Sequence, residues 1–211
     1  MPRLYAFALA ILAVLPAPSL AQTPSARRDS TRAESARTPR RPQTRAHGTR
    51  VNVDPSKVTV DDGDTAVIEW SATDRETVRF LGIDTPETRH VPHNLPYAQP
   101  FGPEARAFAL GAFAVASKIE LLRANALDPY GRSLGYFFLD GKSYSVLVVR
   151  ARLAEESVSQ YGDNGLPTEA ADVMAAAKAA GPLPFESPAV FRRRMRAVSE
   201  WMRERKIDPE Q

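Results

Sequence analysis

Short apolar-rich stretches separated by polar turn residues set out the first half of the chain. Residues 57–60 and 66–70 read as strands joined through Asp61-Asp62-Gly63-Asp64, and 78–83 as a third strand, with 71–76 the polar turn before it. Gly102-Pro103 opens a helix, since proline suits a first turn that has no intrahelical donor to lose; its apolar positions include Phe108, Ala112 and Val115. Residues 119–123 and 134–139 read as strands on either side of Asp128-Pro129-Tyr130-Gly131-Arg132, and Asp140-Gly141-Lys142 as a turn. Residues 145–151 fit a short buried helix or a strand equally well. Residues 168–180 form an alanine-rich helix, capped by Thr168 and stopped by Gly181-Pro182. Ser187-Pro188 starts a last helix, with Phe191, Met195, Val198 and Met202 at helical spacing and Arg192, Arg193, Arg194 and Arg196 around that stripe. It reads as an amphipathic helix docked on the domain; a partner- or phosphate-binding helix is the alternative. Three strands, a helix, two strands and then helices predict a small barrel, because a doubly wound sheet requires strands and helices to alternate.

The N-terminus reads as an export signal. Arg3 precedes an apolar run over 4–15, Pro16 and Pro18 break any helix, and Ser19-Leu20-Ala21 offers small residues for cleavage. Twelve residues at about 1.5 Å each fall well short of a bilayer core of roughly 30 Å, and no later stretch is long and apolar enough to span one, so no membrane span is expected after cleavage. The mature protein is then expected to begin at Gln22 and to be secreted or periplasmic. Residues 22–50 are rich in Arg, Ser, Thr, Pro and Ala without apolar periodicity, and read as a disordered linker. The domain is expected over 51–180, with a helical extension over 181–211.

Charge follows this division. The whole chain carries +3, but residues 22–50 hold eight Arg against Asp29 and Glu34, and Arg3 adds one more; the other 161 residues, 51–211, carry a net −4. A body coated in positive charge, as non-specific DNA coating needs, is thereby disfavoured. The absence of cysteine excludes disulfides, thiolate metal ligands and a thiol nucleophile.

The residues able to do chemistry fall in three segments: Asp62-Gly63-Asp64-Thr65; Val78-Arg79-Phe80-Leu81-Gly82-Ile83-Asp84-Thr85-Pro86-Glu87; and Asp128-Pro129-Tyr130-Gly131-Arg132. Each alone is a weak signal. Together, in this order and with Gln99-Pro100-Phe101-Gly102-Pro103-Glu104-Ala105 between them, they resemble the thermonuclease family of staphylococcal-nuclease-like domains over residues 57–180. The resemblance implies an α+β, mainly β fold, a five-stranded oligonucleotide-binding-type barrel with flanking helices. It implies calcium-dependent hydrolysis of phosphodiester bonds in DNA and RNA.

By the same resemblance, Asp64, Asp84 and the Thr85 carbonyl are the Ca²⁺ ligands, which suits a hard cation that takes oxygen donors. Arg79 and Arg132 match the two catalytic arginines, planar forks fitted to a phosphate whose charge grows in the transition state. Glu87 matches the glutamate proposed as general base. Strict alternation puts Arg79 and Asp84 on opposite faces, so both reach one site only if the strand breaks between them, and Gly82 is the place for that.

The chain departs from the family pattern where substrate is held. Pro129 stands where a lysine is common, Arg152-Leu153-Ala154 where a Gly-Leu-Ala run is common, and Val158 where a tyrosine is expected, with Tyr161 the nearest replacement. Tyr130 and Tyr161 are the substrate-binding candidates. His90 and His93 lie in a Pro-rich loop and read as solvated. The sequence therefore predicts an exported monomeric nuclease. The alternatives are a non-catalytic barrel that binds nucleic acid or protein, and an envelope interaction protein working through its last helix and basic tail.

Overall fold

The segments that alternate apolar and polar residues pair as strands in the computed structural model, which describes residues 40–209. The export signal, the cleavage site and residues 22–39 of the expected linker lie outside the described residues. The strands are β1 (Arg50–Val53), β2 (Val58–Val60), β3 (Thr65–Ser71), β4 (Asp74–Phe80), β5 (Ile83–Asp84), β6 (Ile119–Leu127), β7 (Ser133–Leu139), β8 (Lys142–Ser143) and β9 (Glu155–Glu156). The helices are α1 (Gly102–Val115), α2 (Tyr144–Arg150), α3 (Val158–Tyr161), α4 (Pro167–Ala180) and α5 (Pro188–Glu204).

The main sheet runs β1-β6-β7-β4-β3-β2, with β8 added to β7. Its two end strands are consecutive in the chain, separated by a single 3-10 turn over Pro55–Lys57. The stretch 50–60 thus pairs with β6 through its first half and with β3 through its second, and the ring of five chain segments closes through it. This is the expected oligonucleotide-binding-type barrel in an α+β, mainly β fold. All pairings in the main sheet are antiparallel except β4 with β7. Along β3, Ala66 and Ile68 are buried and Glu69 is exposed, as a sheet with one packed face requires.

Inside, Phe80, Phe113, Phe137 and Tyr144 meet with ring centroids 5.0–5.7 Å apart, the spacing of attractive edge and offset contacts. α1 contributes Ala105, Ala109 and Phe113 to the interior, one stripe at helical spacing. Phe108 and Ala112 are half-buried beside it, but Val115 is 80% exposed, so the buried stripe is turned from the one the sequence suggested. The ambiguous stretch 145–151 is mostly helix, α2: Tyr144, Ser145, Val148 and Val149 are its buried residues, a helical period. Thr168 is not the cap of α4; Leu166 holds that position and Pro167 begins the helix.

The linker expected over 22–50 is corrected over its last eleven residues, which belong to the fold. β1 begins at Arg50, Pro42 bridges Ala126, and the buried Gln43 donates from Nε2 to Ser133 Oγ at 2.9 Å. Arg45 pairs with Asp74, and the Arg50 guanidinium lies 3.4 Å from the Phe138 ring centroid. Composition suggested disorder because the segment has little apolar area; it is held by backbone pairing and charge instead. The body from residue 40 onward therefore carries no net charge rather than −4.

Candidate active site

The expected third strand is two strands. β4 ends at Phe80, and Gly82, at φ +78°, turns the chain before β5. A side chain there would be strained, and its β-carbon would stand 3.0 Å from the Tyr136 hydroxyl. The break is held by Leu81 N donating to the Gly135 carbonyl, Ser145 Oγ donating to the Leu81 carbonyl and Ser157 N donating to the Gly82 carbonyl. β5 then leaves the barrel and pairs with β9, Asp84 opposite Glu155. Glu155 and Glu156 thus form the strand that supports Asp84. The turn removes the strict alternation, and Arg79 and Asp84 meet: Arg79 NH2 donates to Asp84 Oδ1 at 2.9 Å and to the Ile83 carbonyl at 3.2 Å.

Asp64 arrives from the start of β3, where its carbonyl accepts from Phe80 N at 2.8 Å. Its carboxylate pairs with Arg79 and accepts from Thr85 N and Thr85 Oγ1, both at 3.0 Å. Asp64, Asp84 and Thr85 are all buried. Asp62, given no role of its own in the sequence reading, accepts from Asp64 N at 2.9 Å; burial pushes its carboxyl up against the pull of Arg79.

Glu87 is positioned by Gln99, 1% exposed, which donates from its backbone N to the Glu87 carbonyl at 2.8 Å and accepts from Glu87 N at 3.2 Å. Burial pushes the Glu87 carboxyl up, Asp84 and Asp62 adding to the shift and Arg192 opposing it. Gly102, at the start of α1, lies against the same peptide. A β-carbon there would be 2.7 Å from the Glu87 carbonyl carbon and closer still to its oxygen.

A third guanidinium, absent from the sequence reading of the site, completes the set. Arg192 of α5 spans Asp84, with NH2 2.7 Å from Oδ2 and NH1 3.1 Å from Oδ1, and NH1 also pairs with Glu87. Burial works against its charge, and Asp84 and Glu87 more than offset that. Nothing local distinguishes Arg192 from its neighbours Arg193, Arg194 and Arg196; the one available signal is that it follows Phe191, an anchor of the buried stripe.

Asp64, Arg79, Asp84, Glu87 and Arg192 thus form one continuous chain of ion pairs. Arg132 stands beside it: its field bears on Arg79 and on Asp62, while its own Nε donates to Asp128 Oδ2 at 2.6 Å. Tyr130, 85% exposed at the tip of the same turn, has its ring 5.7 Å from the Arg132 guanidinium. Tyr161 ends α3, about half exposed, and among the described residues no ion pair or side-chain hydrogen bond joins it to these charged groups. The rings of His90 and His93 lie 4.0 Å apart in their exposed loop.

The oxygen donors of Asp64, Asp84 and Thr85 fit a hard divalent cation in kind. Among the described residues no three acidic or imidazole side chains already stand as a metal cage, and the carboxylates face guanidinium groups instead.

The staphylococcal nuclease homologue family matches residues 77–181. Over 94 residues, 44% of this chain, the sequence is 38% identical to a thermonuclease of Staphylococcus intermedius and 33% identical to the endonuclease YncB of Bacillus subtilis. It is 34% identical to the prophage-derived endonuclease YokF of the same Bacillus strain. These alignments span 53%, 43% and 30% of the respective relatives, so the chain matches about half of their length or less. The matched segment holds the break at Gly82, both arginines of the expected catalytic pair and the α1 start that fixes Glu87; the chain contains a staphylococcal-nuclease-like domain.

Proposed function

We propose that this protein is an exported, Ca²⁺-dependent nuclease that hydrolyses phosphodiester bonds in DNA and RNA and acts as a monomer. The observation that carries the reading is the joining of Asp64, Arg79, Asp84 and Glu87 in one network from separate parts of the chain. The relatives' names supply the substrate class. The apolar run over 4–15 supports export, and no helix among the described residues is long and apolar enough to cross a membrane.

Asp64 and Asp84, with the Thr85 carbonyl, are the residues that would hold the cation. When bound, a hard divalent ion supplies positive charge for a phosphate oxygen and keeps water close to phosphorus. Glu87, an ionised carboxylate beside them, takes the proton from the attacking water. Arg79 and Arg132 donate to the non-bridging phosphate oxygens as negative charge grows there. Asp128 aligns Arg132 for that task through Nε and through the Arg132 backbone N, which donates to Asp128 Oδ1 at 2.8 Å. Tyr130 offers an exposed ring on which a base can stack; Tyr161 is the second candidate.

Purified protein with plasmid or single-stranded DNA tests the reading. Fragmentation is expected with millimolar Ca²⁺ and none with a chelator. Glu87→Gln should lower the rate roughly 10²–10⁴-fold, and Arg132→Ala roughly 10²–10³-fold, both with an unchanged circular dichroism spectrum. Intact DNA in the presence of folded protein and Ca²⁺, Mg²⁺ or Mn²⁺ would overturn the proposal.

A further inference from the structure

We propose that Arg192 is a built-in counter-cation that competes with the divalent ion for Asp84 and Glu87, and so sets the ion concentration at which the site loads. The proposal rests on the metal reading above and adds to it a residue outside the family-matched segment, which ends at 181.

Three observations carry it. The first is occupancy. Arg192 lies on both oxygens of Asp84, at 2.7 and 3.1 Å, and Arg79 shares Oδ1. A Ca²⁺ ion needs carboxylate oxygens at about 2.3–2.6 Å, and the guanidinium fork sits on those same lone pairs.

The second is charge. Asp64, Asp84 and Glu87 face Arg79 and Arg192, which leaves one net negative charge in the contact set. With Arg192 withdrawn the set has two, which one divalent ion neutralises. With ion and guanidinium both present the set turns positive, with like charges pressed together in a site shielded from water.

The third is delivery. Phe191 and Met195 pack with Leu95 and hold the first turns of α5. Ser187 Oγ donates to Glu155, the strand partner of Asp84, at 2.7 Å. Gln99, which positions Glu87, donates from Nε2 to the Glu186 carbonyl at 2.6 Å. The start of α5 is therefore tied to the supports of both carboxylates that Arg192 contacts. The Arg192 side chain that reaches them is long and 29% exposed, so it borders solvent on one side.

Isothermal titration of the metal-free full-length chain with CaCl₂ tests this without reference to turnover. Arg192→Gln should bind Ca²⁺ at least about tenfold more tightly than the parent. Arg192→Lys, which keeps the charge but cannot fork, should fall between them, and the exposed Arg193→Gln should match the parent. Ca²⁺ should raise the melting temperature of Arg192→Gln more than that of the parent. Equal affinities for Arg192→Gln and parent would overturn the competition, and weaker binding by Arg192→Gln would make Arg192 a strut of the site instead. Should Arg192→Gln not fold, Arg192→Lys decides in the same way. Failure of every form, parent included, to bind Ca²⁺ or Mn²⁺ would instead remove the metal reading itself, and this inference with it.

Discussion

Charged residues differ in how they announce themselves. Asp64, Arg79, Asp84 and Glu87 stand in local runs that are weak one by one, and the family resemblance of those runs in their order nominated them. Glu76 stands in a stretch read as a polar turn, yet it is 4% exposed. It accepts from Arg123 Nε and NH2 at 2.7 and 2.8 Å, Ser133 Oγ at 2.6 Å and Trp70 Nε1 at 2.8 Å. Its partners lie 6 to 57 residues away, so no local pattern could reveal them. Burial alone would push the Glu76 carboxyl up; Arg123, Ser133 and Trp70 outweigh it and hold it below the ordinary carboxylate range. A folded-state value below the unfolded one means that ionised Glu76 stabilises the fold above about pH 4.3, the unfolded value. That contribution is lost as pH falls through the lower folded value. Urea midpoints measured between pH 7 and pH 3 should fall with pH, and the fall should be shallower in Glu76→Gln. At pH 7 the same variant leaves Arg123 buried without its counter-charge, at an expected cost of about 3–5 kcal/mol.

At the scale of elements, breaks and clamps matter as much as the regular strands. The turn at Gly82 was legible, because two residues five apart had to face one site and glycine was the residue between them able to allow it. The clamp on Glu87 was only half legible. Gly102-Pro103 marked a helix start, but only the packed structure shows that the start presses on the Glu87 peptide. Gly102→Ala should therefore act through that contact. The added methyl must displace the Glu87 backbone, at about 1–3 kcal/mol of overpacking. A shift near 1 Å at a catalytic group costs on the order of 10²-fold in rate. Melting temperature and DNA cleavage measured together check this: a large rate loss with a small stability loss supports the clamp, and unchanged cleavage removes it. α2 makes the complementary point. Its four buried residues fit a helix, but in a stretch of seven the apolar run is equally compatible with a buried strand, and contact with the barrel decides.

For the whole molecule, the boundary of the folded unit is the main revision. Residues 40–49 add almost no apolar core, yet they supply Gln43 to Ser133, Arg45 to Asp74 and Glu76, and the Ala46 carbonyl to Arg123 NH1 at 3.1 Å. They close over the Glu76–Arg123 pair from outside. A chain cut to begin at residue 51 should be roughly 3–5 kcal/mol less stable than one beginning at residue 38, a large share of the stability of a typical domain. Chemical denaturation of the two would check it, and equal midpoints would mean that the segment merely rests on the barrel. The sequence by itself determined the order of strands and helices, the barrel they build and the charged residues of the three motifs, because periodicity, turn chemistry and residue type are local properties. Only the tertiary structure decided that a basic segment without apolar pattern is part of the fold, that Glu76 is buried, and which of four neighbouring arginines enters the site. Each of those depends on which distant groups meet in a low-dielectric interior, where pairing outweighs composition.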